Sequence, residues 1–384
     1  MRAKFVPLVL SAAVFASCSG DSPRIGSPDS TAPTETTEFS APAMDISPDE
    51  PMPDARCAAN QAAGTIVYLS GNGYAASASI VDVLLAEERG YYDDMCLDVE
   101  IRPSFTSDNY SLVLVNDAQF ASAGSFSELV DFAAENIPDY IVLAVEGRTG
   151  IDALITKQGV VDDLDDLRGA TLGVKGVLTP SVRALLSAAG LVEGDDFDVL
   201  ELDGQSAAAH LQQPEVVGFT GYKNDEPFQL DEADLDYDMI DPSDEGIPGS
   251  FGVLYTNRQF SEQHPTAVQD FMRATMKGLA DAIASPVAAA RLAVRLSETG
   301  NPEQVLHLPT ERYRWRVEAD LVAAGVTARL PLGVPDHGLL QRELEVYAAA
   351  GLFDGVVPVT DTLIEQSLVR DLYTAAGELI WPGA

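Results

Sequence analysis

The chain has 384 residues, of which 46% are hydrophobic and 22% charged, and its 60 acids against 23 bases give a formal net charge of −37. So acidic a composition excludes nucleic acid as a partner, because binding to phosphate backbones rests on cationic contacts. It fits the solvated surface of a soluble domain, and the length calls for more than one core.

In chain order, Arg2 and Lys4 precede an apolar stretch at 5–15 that is too short to span a bilayer, and Ala16-Ser17-Cys18 follows it. This is the pattern of a lipoprotein signal peptide at 1–17, with Cys18 acylated and the chain held on the membrane, facing the periplasm or the cell exterior. Residues 18–56 are rich in Pro, Ser and Thr and carry no periodicity. They are expected to form a disordered tether without contacts to the domain, because such a segment buries too little apolar surface to offset its ordering entropy. Cys57 and Cys96 are the two remaining cysteines. In an exported chain they are expected to form a disulfide.

Residues 65–69 read as a β-strand, broken by Ser70-Gly71-Asn72-Gly73, and 76–89 carries helical spacing up to Gly90. Strands at 97–102, 119–122 and 140–145 alternate with helices at 109–116 and after Ser125, where Glu128 three residues on forms a capping box. The alternation restarts beyond Gly150. Strands are predicted at 153–156, 170–174, 198–201, 216–219 and 252–256, and a helix at 180–189 with Thr179 as its cap and Pro180 in its first turn. The rest is helical, at 267–284, 287–296, 311–324, 335–349 and 361–375. Strands alternating with helices predict an α/β fold of two lobes with parallel sheets around a hinged cleft, plus a helical C-terminal addition. The lobes would take 57–148 and 149–250, and 251–384 would form the hinge return and the helices packing mainly on the first lobe.

No catalytic set emerges. His210, His264, His307 and His337 are scattered, and no GxSxG, Walker A or CxxC pattern occurs. No metal site and no cofactor are expected. In open α/β sheets ligands sit beyond the carboxyl ends of the strands. The polar residues there are Ser70, Asn72 and Tyr74; Ser122, Gly124 and Ser125; Lys175 and Thr179; and Tyr222, Lys223, Asn224 and Glu226. Hydroxyls and helix-start amides suit a small polar ligand, and the two tyrosine rings suit a flat one. Lys175 and Lys223 are two of only four lysines beyond the export signal, which marks them as candidate partners of a ligand anion.

Glu88-Arg89-Gly90-Tyr91-Tyr92 leading to Leu97-Asp98-Val99-Glu100 resembles a segment of the periplasmic binding proteins for thiamine pyrimidine precursors, nitrate, sulfonates and taurine. Gly173-Val174-Lys175-Gly176, Gly221-Tyr222-Lys223-Asn224-Asp225-Glu226-Pro227 and Pro248-Gly249-Ser250-Phe251-Gly252-Val253 are similar to second-lobe segments of the pyrimidine-precursor branch. The resemblance, over roughly 64–300, implies a type II periplasmic binding protein. It would be a monomer that captures a small molecule for an ABC permease and is not an enzyme. A thiamine pyrimidine precursor is the first expectation for the ligand, and nitrate, a sulfonate or a flavin-type molecule the alternative. Two departures stand out. Where pyrimidine binders often carry Trp-x-Pro-Asn, this chain has Ser70-Gly71-Asn72-Gly73-Tyr74. Where a Gly usually precedes Leu-Asp-Val-Glu there is Cys96, expected to reflect the disulfide rather than a turn. A eukaryotic branch that makes the thiamine pyrimidine enzymatically carries a Cys-rich iron-binding motif, which this sequence lacks.

Overall fold

A computed structural model of the protein describes residues 44–136, 139–202, 204, 206–300, 305–360 and 363–383. The expected signal peptide, Cys18 and most of the tether lie outside them.

Among the described residues, ten strands form two five-stranded sheets. The first contains β1 (Thr65–Leu69), β2 (Asp98–Arg102), β3 (Phe120–Ala123) and β4 (Tyr140–Gly147). The second contains β5 (Asp152–Lys157), β6 (Thr171–Val174), β7 (Asp198–Glu201), β8 (Gly218–Tyr222) and β9 (Tyr237–Ile240). The chain then returns to the first sheet as β10 (Phe251–Asn257). The orders are β2-β1-β3-β10-β4 and β7-β6-β8-β5-β9. The sheets are mixed, not parallel as expected. β10 runs antiparallel to β3 and β4, and β5 antiparallel to β8 and β9. The reason is topological: each antiparallel strand is the one that enters its sheet from the other lobe. The parallel strands keep their crossover helices and point their carboxyl ends at the space between the sheets.

Burial follows the sequence pattern. β4 and β10 are buried along their whole length and are near-continuous apolar runs, as central strands are. In the first lobe Phe271 stacks on Phe120 at a centroid distance of 3.9 Å and on Tyr92 at 5.0 Å. Trp315 is fully buried in the same core and donates its indole N–H to the Ala282 carbonyl at 2.9 Å. The second lobe has two smaller cores, one around Leu154, Leu172 and Phe197 and one around Ile155, Phe219 and Leu230. Among the tail helices, Pro265–Ala284 packs on Val81–Glu88 and Pro286–Gly300 packs on Leu308–Ala324, while His337–Ala349 touches both Phe126–Asn136 and Pro180–Ala188.

Three expectations need correction here. Residues 44–56, read as free tether, pack on the first lobe. Ile46 joins its core, and Asp54–Gln61 is a helix whose buried Arg56 pairs with Asp270 at 2.6 Å and donates to the Met44 carbonyl at 2.8 Å. The Pro/Ser/Thr composition of the whole segment masked these few anchoring residues. Over 361–375 the described residues contain only the short helix Gln366–Arg370. Just before it Ile364 bridges to β4, and the Val142 N–H donates to the Leu363 carbonyl at 2.6 Å. That edge of β4 offered backbone partners that a helix could not use. Cys96 is bonded to Cys57, with Cα atoms 5.3 Å apart, but it also sits at φ +56°. The position does need the left-handed turn that glycine adopts most easily, and the cysteine holds it at some strain.

Candidate functional site

The carboxyl ends of β1, β3, β6 and β8, with the two connections between lobes, enclose a cavity of about 360 Å³. The loop after β1 forms its first wall. Gly71 is required there, because a Cβ would lie 2.7 Å from Thr106 Oγ1 and 2.9 Å from Ser122 Oγ. Its N–H donates to Ser122 Oγ at 2.5 Å, which places Ser122 in the wall. Asn72 lines the cavity, and its backbone bridges to Phe105.

Three buried carboxylates then shape the stretch 76–79. Glu311 accepts from the Ala76 N–H at 2.7 Å, Glu318 from the Ala78 N–H at 2.5 Å and Glu146 from the Ser79 N–H at 3.0 Å. Ser77 Oγ donates to Glu318 at 2.8 Å. The Tyr68 hydroxyl donates to the Ser79 carbonyl, and Ser79 is held at φ +60°. Gly252 presses from behind, since a Cβ on it would meet the Ala78 Cβ at 2.5 Å. A non-glycine residue at positive φ persists only where its surroundings over-determine it. Burial pushes the Glu318 carboxyl up, and the amide and hydroxyl donors pull against that shift. Below the wall, Asp82 and Glu146 are both buried, and no ion pair to either is found among the described residues. Burial pushes Asp82 up to about 6 and Glu146 well above the carboxylate range, where the facing Asp82 raises it further.

The opposite wall is the segment after β8. Tyr222 keeps 43% of its surface exposed, at the cavity edge. Glu226 is buried; it accepts from the Tyr222 N–H at 2.7 Å and from Lys175 Nζ at 2.6 Å. Helix Leu308–Ala324 joins the walls. Its Glu311, Arg314 and Glu318 share one face at i, i+3 and i+7 spacing. Asn224 Nδ2 donates to Glu318 at 2.5 Å, Arg314 to Asp225 at 3.2 Å, and the Tyr313 hydroxyl to the Lys223 carbonyl at 3.3 Å. The helix thus touches the first lobe through Ala76, Ser77 and Ala78 and the second through residues 223–225.

A second cavity of about 240 Å³ shares Tyr222, Gly124 and Ile151 with the first, and Ser125 and Thr179 line it. Ser125 Oγ accepts from the Glu128 N–H at 3.2 Å, so half of the expected capping box forms. The Glu128 carboxylate takes the Gly124 N–H at 3.1 Å instead of that of Ser125. Thr179 holds the cap position of Pro180–Ala188 without a capping hydrogen bond.

Of the candidates, Asn72, Ser122, Gly124, Lys175, Tyr222, Asn224 and Glu226 line the first cavity. Three candidates do not line either cavity. Ser70 is fully buried, with its Oγ donating to the Gly73 carbonyl at 2.5 Å and accepting from the Ser104 N–H at 3.2 Å. Tyr74 packs against the core of the first lobe beside Gly300. Lys223 turns into the second lobe and pairs with Asp241 at 2.6 Å. Strand alternation explains the last case, because residues 222 and 223 point to opposite faces. The unforeseen contributors are Ser77, Glu146, Arg314 and Glu318. Glu311-x-x-Arg314-x-x-x-Glu318 on one helical face was the available signal, but on so acidic a chain it reads as a solvated stripe.

The NMT1/THI5-like family model matches residues 77–289, more than half of the chain. The chain belongs to that family. Among curated proteins it is similar to the riboflavin-binding protein RibY of Chloroflexus aurantiacus, at 28% identity over 338 residues, covering 85% of this chain and 90% of the relative. Among solved structures it resembles a sulfonate-binding SsuA of Methylobacillus flagellatus (TM-score 0.57, 15% identity, 79% and 92% coverage). It also resembles the nitrate-binding NrtA of Synechocystis PCC 6803 (TM-score 0.51, 14% identity, 80% and 87% coverage). These two likenesses establish the periplasmic-binding-protein fold, with its two lobes and intervening cleft, and leave the ligand to the residues of the site.

Proposed function

We propose that this protein is an extracytoplasmic solute-binding lipoprotein that captures a flat, uncharged heterocycle of the flavin class and delivers it to an ABC permease. The observation that carries the reading is the charge balance of the cleft. Its first cavity is lined by Asp225, Glu226 and Glu318 against Lys175 and Arg314, and both cations are already paired, with Glu226 and with Glu311 and Asp225. Nitrate or a sulfonate would enter an excess of negative charge with no free cation to meet it, which argues against those ligands. A neutral ring meets the apolar side chains of Ile80, Ile151 and Phe251, the ring of Tyr222 and polar groups that include Asn72, Ser79 and Ser122. The similarity to RibY supports the flavin class. A thiamine pyrimidine precursor, also neutral, is the competing reading, favoured by the second-lobe segments around Lys175 and Tyr222. The family match and the similarity to RibY support a binder over an enzyme.

Titration followed by quenching of flavin fluorescence, with calorimetry for the colourless ligands, tests this. Riboflavin should bind with a dissociation constant of about 1 µM or below, and pyrimidine precursor, taurine and nitrate far more weakly. Binding of the pyrimidine with no response to riboflavin would overturn the flavin reading. The anchor has its own test: labelled palmitate should be incorporated by the full chain and not by Cys18→Ser.

A further inference from the structure

The second cavity is chemically unlike the first. It shares Gly124, Ile151 and Tyr222 with the first, and its other lining is hydroxyl-rich, with Ser125, Ser127, Thr179, Ser250 and Tyr347. Two carboxylates face it, Glu128 and Asp152, and no lysine or arginine is among its lining residues. Each carboxylate keeps acceptor capacity. The hydrogen bond to Glu128 from the Gly124 N–H ends on Oε2, and that to Asp152 from the Ser181 N–H, at 3.0 Å, ends on Oδ2. Thr179 Oγ1 is buried and meets no hydrogen-bond partner among the described residues, although its place at a helix start offers it a backbone amide. An unpartnered buried hydroxyl is costly unless something else satisfies it.

Alternating hydroxyls and carboxylates without a cation match one kind of ligand group. A chain of alcohols donates to carboxylate oxygens and exchanges donor and acceptor roles with Ser and Thr hydroxyls. A phosphate at the same place would face Glu128 and Asp152 with nothing to neutralise it. We infer that this second cavity is a polyol subsite: the ligand's ring lies in the first cavity against Tyr222, its uncharged hydroxylated chain runs past Gly124 toward Thr179 and Asp152, and the phosphate ester of that chain is rejected. The inference rests on the flavin-class reading above and deepens it by naming the side chain.

The test uses the full chain and three probes that share one ring: riboflavin with its polyol chain, lumichrome without it, and FMN with the chain phosphorylated. Riboflavin should bind at least about tenfold more tightly than lumichrome and about a hundredfold more tightly than FMN. Thr179→Val and Asp152→Asn should weaken riboflavin by roughly three- to thirtyfold and leave lumichrome within about twofold. Asp152 also holds the Ser181 amide, so Thr179→Val is the variant that decides if Asp152→Asn folds poorly. Equal affinities for riboflavin and lumichrome, or FMN binding as tightly as riboflavin, overturn the subsite and leave the flavin reading standing. Failure of all three probes to bind overturns both.

Discussion

The two lobes present the cleft with walls of different construction. The first-lobe wall is backbone, and its amides at 76–79 are held by Glu311, Glu318 and Glu146. Behind it the lobe is braced by the Cys57–Cys96 disulfide, by the helix Asp54–Gln61 and by the tail helices. The second-lobe wall is side chains on one short segment after β8, held by the pairs Lys175–Glu226 and Lys223–Asp241 over two small cores. The amides of 76–79 are already given to Glu311, Glu318, Glu146 and the Ala75 carbonyl, so this wall offers a ligand a fixed shape, whereas Tyr222 and Asn224 choose among ligands by ring and edge. The contrast teaches where each kind of mutation should act. Changes behind the first wall should register in stability, and changes in the second wall should register in affinity.

The largest effect that tests this comparison lies behind the first wall. Asp270 is fully buried and accepts from Arg56 at 2.6 Å, Asn60 at 2.7 Å and Arg273 at 3.2 Å. Asp270→Ala leaves two buried guanidiniums facing each other without their counter-charge and should destabilise the protein by about 3–5 kcal/mol in urea unfolding. A loss below about 1 kcal/mol would mean that the first lobe is not held as described.

Asp82 and Glu146 give the next effect, with the opposite sign. Burial raises Asp82 from its ordinary 3.8 to about 6. A carboxyl with a raised folded-state value gives stability that is complete below its unfolded value and is lost as pH rises through the folded one. Stability attributable to Asp82 should therefore decline between about pH 4 and 6, by on the order of 3 kcal/mol in all. Asp82→Asn keeps the shape without the ionisation. It should be more stable than the parent at pH 7.5 and lose that advantage by pH 4, as read from unfolding curves at the two values. An advantage independent of pH would assign the effect to packing.

How much of this was legible beforehand follows from where each signal sits. Strand positions such as 65–69 and 198–201 agree residue for residue, the first because a short β-branched run between turn residues has few other readings. The cleft residues at strand ends were legible for the same reason, since Asn72, Ser122, Lys175 and Tyr222 follow from topology alone. Ser70 and Lys223 were misplaced by one step of strand alternation, which the sequence does not register once a strand passes into a loop. Glu318 was missed because its role depends on the Ala78 amide and on Asn224, which lie 240 and 94 residues away. β9 was missed because its residues are half exposed and lie among acids, without an apolar run.

The two lysines sharpen the comparison further, because both belong to the second lobe and only one faces the cleft. Lys223 is 6% exposed and its Asp241 partner is 18% exposed, so Lys223→Met breaks a largely desolvated pair. Burial raises the Asp241 carboxyl, but Lys223 and Ser243 outweigh it and hold the group below its ordinary value. The pair's contribution is therefore present above that ordinary value and is lost as pH falls through the lowered one. Lys223→Met should lose about 1–3 kcal/mol at pH 7 and leave riboflavin affinity within about twofold.

The smallest effect belongs to Lys175, whose side chain is 40% exposed although the Glu226 it meets is 1% exposed. Solvent screens the lysine, and Glu226 keeps the Tyr222 amide when the ammonium is gone. Lys175→Met should therefore change unfolding free energy by less than about 1 kcal/mol. It should act on ligand choice instead, because it removes one of the two cations of the first cavity. Any residual binding of anions such as taurine should fall further, and riboflavin affinity should move by only a few-fold. Calorimetry of both ligands on the variant reads the two changes separately. A variant that loses riboflavin as strongly as a Tyr222→Ala protein would show that the ammonium itself grips the ligand, and the neutral-ligand reading of this wall would have to be abandoned.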